Sequence, residues 1–399
     1  MGAISKQPER NTFPMRNFSA LKKALALSVV ALLSTPYMAQ AGSGSDTFIG
    51  SGIRSHGAPI ITQNPFSNGS ENGQKSEGSN SSSNSASQES IATGVLPSIS
   101  NDDAAGESAW QHAQNAARVG AATVKTVSNP ISYHTGGAIY SGNVAIYPVW
   151  VGTWTSARQS LWNGILSNLV TVLGTATSNS ATANQVFATN QSYFTARGSV
   201  APTLTWPQAA APSAPVAATG NVTDMQVSSY IWTAMNNGSV PLPTATGGLK
   251  PIYVYIGANN TYLSSGFGTS YCGWHSYGTF GTTSVPFIAI QDFTSKYLSA
   301  CAANTTASPN GDAYADAMAS VLVHEIDETL TDVNLNAYYD ARGSENADKC
   351  AWTFGTTTTT GGYKYNITEG GKKYLIQRNW LSTNVNKGDG TACTLSSAS

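Results

Sequence analysis

Charged side chains are scarce in this sequence, which has 20 Lys and Arg and 21 Asp and Glu among 399 residues. The formal net charge is −1 at pH 7, so the chain lacks the positive excess that binding to nucleic acid requires. Long apolar runs are also missing. The run at residues 24–33 is too short for a transmembrane helix, which needs about 20 apolar residues. We therefore expect neither a nucleic acid partner nor a membrane span.

The first 41 residues have the pattern of a secretory signal peptide. Five Lys and Arg precede the apolar run, and Ala39-Gln40-Ala41 matches a signal cleavage site. We expect cleavage after Ala41 and secretion to the extracellular space, the periplasm or the cell wall. The remaining chain has 15 basic and 20 acidic residues, a net charge of −5.

Cysteines are also few. There are four, and none belongs to a C-x-x-C pair, which argues against a cysteine-based zinc or redox site. In a secreted protein two disulfides are expected, and three pairings are open. We favour the pairs of sequence neighbours, Cys272–Cys301 and Cys350–Cys393.

Composition divides the rest of the chain in two. Residues 42–125 are rich in Ser, Gly and Asn, and they cannot bury enough apolar surface to offset their ordering entropy. They are predicted to be a disordered spacer, with an alanine-rich helical stretch at 102–124. Residues 126–399 are predicted to form one globular domain.

Strand-like and helix-like patterns alternate in this domain, which predicts an α/β (α+β) fold. We expect a mixed twisted sheet with packed helices, compatible with the architecture of zincin peptidases. The predicted strands are 143–152, 253–256, 286–290 and 374–380. The predicted helices run from a cap at Thr155 or Ser156 to Gly174, from Thr223-Asp224 to Met235, and over 312–332.

The helix at 312–332 carries the most informative motif, His324-Glu325 followed by Glu328. The i, i+4 spacing places His324 and Glu328 on one helix face, where they can share a metal ion. In H-E-x-x-H zinc hydrolases the middle Glu takes a proton from the metal-bound water. A carboxylate is also a zinc ligand, so the motif predicts zinc bound by His324 and Glu328, with Glu325 as general base.

The third ligand is less certain from sequence. By analogy with gluzincin peptidases, Glu345 would complete the metal shell and Asp348 would orient the ring of His324. Asp332 and Asn334 are rival ligands. The alternative to a metal site is a solvated charged helix face, but four ionisable residues within 324–328 are a concentration against a sparse background.

Two aromatic segments offer further candidates. His275 lies in the aromatic segment 272–278, where a hydrogen-bonded structural role in a loop is favoured over metal binding. Tyr339 could donate to an oxyanion, and packing or sugar stacking is an equal alternative.

Several motifs together resemble the phosphate-induced protein, or EXORDIUM-like, family of secreted proteins. They fall in family order over residues 134–395 and comprise Gly136-Gly137, Ser141-Gly142-Asn143-Val144, Trp150-Val151-Gly152-Thr153-Trp154, Tyr271-Cys272-Gly273-Trp274-His275, Pro309-Asn310-Gly311-Asp312 and Cys350-Ala351-Trp352. The resemblance implies an extracellular, wall-associated protein without established biochemical activity. The sequence departs from the plant pattern by carrying His324-Glu325.

Two functions are therefore expected from the sequence. The first is a secreted zinc-dependent hydrolase of peptidase type. The second is a non-catalytic extracellular protein that binds a cell-wall polysaccharide or a protein partner.

Overall fold

The computed structural model describes residues 48–50, 127, 129–173, 187, 189–264, 266–280 and 282–395. These ranges exclude the predicted signal peptide. They also exclude the predicted spacer, with its predicted helical stretch at 102–124, except for residues 48–50. The described residues all belong to one compact unit within residues 46–399.

The elements of the described residues are numbered in chain order. The helices are α1 Ser156–Leu173, α2 Asn190–Thr195, α3 Asp224–Asn236, α4 Leu298–Cys301 and α5 Ala313–Thr331. The strands are β1 Phe48–Gly50, β2 Ser132–Tyr133, β3 Val144–Val151, β4 Leu204–Thr205, β5 Gly220–Val222, β6 Lys250–Gly257, β7 Thr261–Leu263, β8 Trp274–Phe280, β9 Thr283–Gln291, β10 Tyr338–Tyr339, β11 Thr358–Thr360, β12 Tyr363–Tyr365, β13 Ile367–Glu369, β14 Lys372–Tyr374, β15 Asn379–Trp380 and β16 Cys393–Thr394. Among the described helices none is long and apolar enough to span a bilayer.

A six-stranded sheet in the order β1-β8-β9-β6-β3-β4 is the main sheet of the domain. β4, β3, β6 and β9 are parallel, whereas β8 pairs antiparallel with β9 and β1 antiparallel with β8. β3 is buried along its whole length, as its continuous apolar sequence predicts for an inner parallel strand. α5 packs against β8 and β9. The fold is therefore mixed α+β, and likeness to zincins stays a prediction.

The N-terminus of α5 is fixed by a charged network. Asp312 caps the helix by accepting from the backbone N–H of Tyr314 and Ala315 at 3.0 and 2.9 Å. Arg158 of α1 donates to the other oxygen of Asp312 at 2.5 Å and to both oxygens of Asp292 at 2.6 Å each. This one guanidinium thus joins α1, the segment after β9 and the start of α5.

Two sequence predictions of local structure differ from the fold. The strand predicted at 374–380 is interrupted, because Asn366 takes both backbone groups of Ile376 in side-chain hydrogen bonds. The segment 272–278 is not a loop beyond Gly273, because from Trp274 onward it pairs with β9. Its sequence was taken for a loop since Gly273 and Gly278 interrupt the strand pattern.

Both favoured disulfides are confirmed. Cys272 is bonded to Cys301, and Cys350 is bonded to Cys393. The first bond fixes the segment that leads into β8, and the second fixes the 3-10 turn Asp348–Cys350. Cys272 lies three residues before His275, and Cys350 lies two residues after Asp348.

Candidate metal centre

The last turns of α5 carry His324, Glu325 and Glu328 into the protein interior. Each of these side chains is 0% exposed. The segment after α5 is tied to the helix by Asn346, which donates to the backbone oxygen of Asp327 at 3.3 Å and to Thr331 Oγ1 at 3.1 Å. A solvated charged face, the alternative considered from sequence, is therefore excluded.

The first half of the cluster surrounds one ring nitrogen of His324. His324 Nε2 lies 3.1 Å from Glu328 Oε1 and 3.4 Å from Asp348 Oδ1. The backbone N–H of Asp348 donates to the same Glu328 oxygen at 3.0 Å. Two carboxylates on different segments thus converge on a single imidazole nitrogen.

The second half surrounds His275, which β8 brings under α5. His275 Nδ1 lies 3.2 Å from Glu325 Oε2 and 3.5 Å from Glu328 Oε2, and its Nε2 lies 3.4 Å from Glu345 Oε2. His275 and Glu345 are also 0% exposed. Glu328 is shared between the halves, because Oε1 faces His324 and Oε2 faces His275.

Gly273 makes room for this arrangement. A Cβ at this position would lie 2.5 Å from Val321 Cγ1 and 3.2 Å from Glu325 Oε1. Any larger residue would displace α5 or the Glu325 carboxylate, so a glycine is needed immediately before β8.

The ring of His324 is held from its other side by Gln377. The Gln377 side-chain amide forms a short hydrogen bond with His324 Nδ1. Gln377 is fixed in turn by the backbone N–H of Trp352, which donates to its Oε1 at 3.4 Å. The orientation of the imidazole is therefore set by a residue 53 positions away in sequence.

Burial and neighbouring charges together raise the pKa values of His324, Glu345 and Glu325 in the cluster. Burial lowers the pKa of His324, but the charge of Glu328 and the contact with Asp348 more than offset this, and the net pKa is well above the usual value. Burial raises the pKa of Glu345 far above its ordinary range, and the charges of Asp332 and Glu328 add to the increase. Burial also raises the pKa of Glu325, against a lowering by His275. The cluster therefore cannot hold all its carboxylates ionised without added positive charge.

The donor atoms fit a divalent cation. Zinc binds nitrogen and oxygen at about 2.0–2.2 Å in tetrahedral geometry, which separates neighbouring ligand atoms by about 3.3 Å. The separations of 3.1 and 3.4 Å at His324 Nε2 match this value. They are longer than the roughly 2.7–2.9 Å of charge-assisted hydrogen bonds. His324 Nε2 also makes no hydrogen bond of acceptable geometry among the described residues, although it is fully buried.

The other sequence candidates lie around this cluster. Asp332 Oδ1 accepts from the backbone N–H of Asn336 and Ala337 and so closes the turn after α5. Asn334 accepts from Ser284, on the sheet. Tyr339 stacks on His134 with ring centroids 3.5 Å apart, and burial, Asp332 and Glu345 raise its pKa.

A small surface pocket lies one helical turn from His324. Its lining includes Asp316, Ala317 and Ser320 of α5, together with Trp352, Phe354 and Leu375. Ser320 accepts a hydrogen bond from the backbone N–H of Gln377, at 3.4 Å. Gln377 thus connects the wall of this pocket with the buried ring of His324.

The conserved region of phosphate-induced protein 1 matches residues 131–381, more than half of the chain. The chain belongs to the phosphate-induced protein 1 family. It is similar to Protein EXORDIUM-like 3 of Arabidopsis thaliana, with 26% identity over 284 residues that cover 64% of this chain and 81% of the relative. Protein EXORDIUM-like 5 of the same plant is 22% identical over 281 residues, covering 63% and 75% respectively. No solved structure matches.

Within this EXORDIUM-like chain, the sequence named His275 only as a less favoured candidate and gave no indication of Gln377. His275 was placed in a loop, and only the pairing of β8 with β9 shows that it lies under α5. Gln377 gave no sequence signal, because an amide near a histidine has no characteristic spacing. Both residues lie inside the region that defines the family.

Proposed function

We propose that this EXORDIUM-like chain is a secreted zinc-dependent hydrolase with peptidase-like chemistry. The observation that carries the proposal is the spacing of His324 Nε2, Glu328 Oε1 and Asp348 Oδ1, which fits the ligand shell of one zinc ion. Secretion is supported by the two disulfides, which are typical of oxidising compartments.

Charge balance supports a cation at this place. Glu325, Glu328, Glu345 and Asp348 are all 0% exposed, and the two imidazoles of the cluster can neutralise at most two of them. Burying ionised carboxylates without compensation costs several kcal/mol per group. A divalent ion bound by neutral histidines, as metal ligands must be, offsets two of the four negative charges.

The roles of Glu345 and Asp348 are exchanged relative to the sequence hypothesis. Asp348 Oδ1 faces the same nitrogen of His324 as Glu328 does, so we assign it as the third ligand. Glu345 Oε2 instead faces His275 Nε2 and orients that ring.

Zinc supplies a Lewis acid that lowers the pKa of a bound water and polarises a carbonyl. In this chain Glu325 is the proton acceptor, because it lies next to the ligands and its pKa is raised by burial. His275 Nδ1 holds Glu325 Oε2 at 3.2 Å. Tyr339 is the proposed oxyanion donor, because this half-buried residue lies near enough to Glu345 for that charge to raise its pKa.

The complete burial of the cluster favours a second candidate, in which the ion is structural. A site with 0% exposure admits a polymer substrate only after a segment moves. In this alternative the chain is a non-catalytic extracellular protein that binds a wall polysaccharide or a protein. Retention on insoluble glycan that survives chelation would support it.

Replacement of Glu325 by Gln separates the two candidates. The amide keeps the size of the side chain but cannot accept the proton, so turnover of a casein or peptide-library substrate should fall by at least about 100-fold. Zinc at His324 should remain in this variant. Equal turnover of both proteins would refute Glu325 as the base, and absence of turnover in the wild type would favour the structural role.

A further inference from the structure

The cluster contains a second complete set of metal-binding atoms that the hydrolase proposal does not use as ligands. His275, Glu325 and Glu328 offer one atom each, and these atoms lie within 4.8 Å of one another. The separations from His275 Nδ1 are 3.2 Å to Glu325 Oε2 and 3.5 Å to Glu328 Oε2. These values again bracket the roughly 3.3 Å expected between zinc ligands.

The two sets meet at a single carboxylate. Glu328 presents Oε1 to the first set, with His324 and Asp348, and Oε2 to the second set. A carboxylate with one oxygen directed to each of two sites is the arrangement that bridges paired ions, which lie about 3.5–4 Å apart in two-metal enzymes. Glu328 Oε2 is fully buried and forms no hydrogen bond of acceptable geometry among the described residues.

Charge counting agrees with two ions. Glu325, Glu328, Glu345 and Asp348 carry four negative charges when ionised, and two divalent cations offset these four with both histidines neutral. The nearby Asp332 is a further buried carboxylate, with Oδ1 held by two backbone N–H groups. One divalent ion leaves a formal charge of −2 in a place where every member is 0% exposed.

We infer that the centre binds two divalent cations, the second held by His275 Nδ1, Glu325 Oε2 and Glu328 Oε2, with Glu328 as the bridge. Glu345 at His275 Nε2 keeps the ring proton on that side, so that Nδ1 presents its lone pair towards Glu325 and Glu328. The inference rests on the proposed function. An ion bound by Glu325 occupies the proposed general base. The second site therefore predicts that excess metal inhibits hydrolysis.

The test is the zinc stoichiometry, measured by mass spectrometry and by calorimetric titration of the metal-free protein. We expect two ions in the wild type and one each in His275→Ala and His324→Ala. His134→Ala is the matched control and should keep two, because this half-buried ring belongs to neither set. Glu325→Gln is a size-conserving second variant and should bind one ion, with a circular dichroism spectrum like the wild type.

Manganese provides a readout of the bridge itself. Two Mn²⁺ ions that share Glu328 should be exchange-coupled, so the six-line electron paramagnetic resonance spectrum should be broadened in the wild type and restored in His275→Ala. The second site would be overturned if the wild type bound one zinc that is lost in His324→Ala and kept in His275→Ala. That result would leave the hydrolase proposal standing. No metal in any variant would overturn both.

Discussion

At the scale of single residues, the chemistry depends on which nitrogen of His324 faces the carboxylates. Nε2 faces Glu328 and Asp348, so the proton of a neutral ring must lie on Nδ1 when Nε2 binds a metal. Gln377 is the partner of Nδ1. The Gln377 nitrogen faces Nδ1 while its oxygen accepts from the Trp352 N–H. The oxygen and nitrogen of an amide are nearly the same size, so a 180° rotation of the amide presents the oxygen to an Nδ1–H in exchange for the Trp352 hydrogen bond.

Replacement of Gln377 tests this positioning role. We expect Gln377→Leu to weaken zinc binding about 10–100-fold, because the ring loses the partner that fixes its tautomer. Gln377→Glu should retain the affinity, since a carboxylate also accepts from Nδ1–H. The measurement is competition with a chromophoric zinc chelator, and equal affinity of the Leu variant and the wild type would contradict the role.

The limits of sequence inference are also visible at single residues. His324, Glu325 and Glu328 were found because one helix fixes their spacing. His275 and Gln377 come from segments whose distance to α5 is set by the tertiary fold. Glu345 lies 17 positions after Glu328. This spacing indicated that a ligand would follow the helix but not whether Glu345 or Asp348 would face His324.

At the scale of elements, α5 is positioned by its first turn as much as by its apolar face. Arg158 joins α1 to Asp312 at the helix start and to Asp292 after β9, and the Asp292 side chain is 1% exposed. Loss of this guanidinium would leave a buried carboxylate without its main counter-charge.

We expect Arg158→Ala to lower the free energy of unfolding by about 3 kcal/mol, as found when one partner of a buried ion pair is removed. Urea denaturation of the metal-free protein measures this. The control is Arg342→Ala at an exposed position, which should change stability by less than about 0.5 kcal/mol. A similar decrease in the free energy of unfolding in the two variants would show that the charged network does not stabilise the start of α5.

The elements themselves were largely predictable. β3, α1 and α5 have long, consistent sequence patterns, and the two helices also have capping residues. The predicted bounds of these elements agree with the structure within one or two residues. β8 was missed because Gly273 and Gly278 resemble loop residues, although this strand is the one that brings His275 to the site. The strand predicted at 374–380 is interrupted, because the Asn366 side chain makes the hydrogen bonds to the Ile376 backbone that a neighbouring strand would make.

At the scale of the whole molecule, few charged residues are present, yet an unusual share of them is gathered in one buried cluster. Two disulfides anchor the segments that carry His275 and Asp348, and a charged network anchors the start of α5. This much fixed geometry around ionisable groups is expected of a site that must hold a cation.

The most direct measurement is the metal content of the purified protein beside that of His324→Ala. The account predicts at least one zinc per chain in the wild type and its loss from the His324 site in the variant. It also predicts that a chelator lowers the melting temperature of the wild type, because the buried carboxylates then repel one another. Absence of bound metal from the wild type, even after zinc loading, would contradict the central claim.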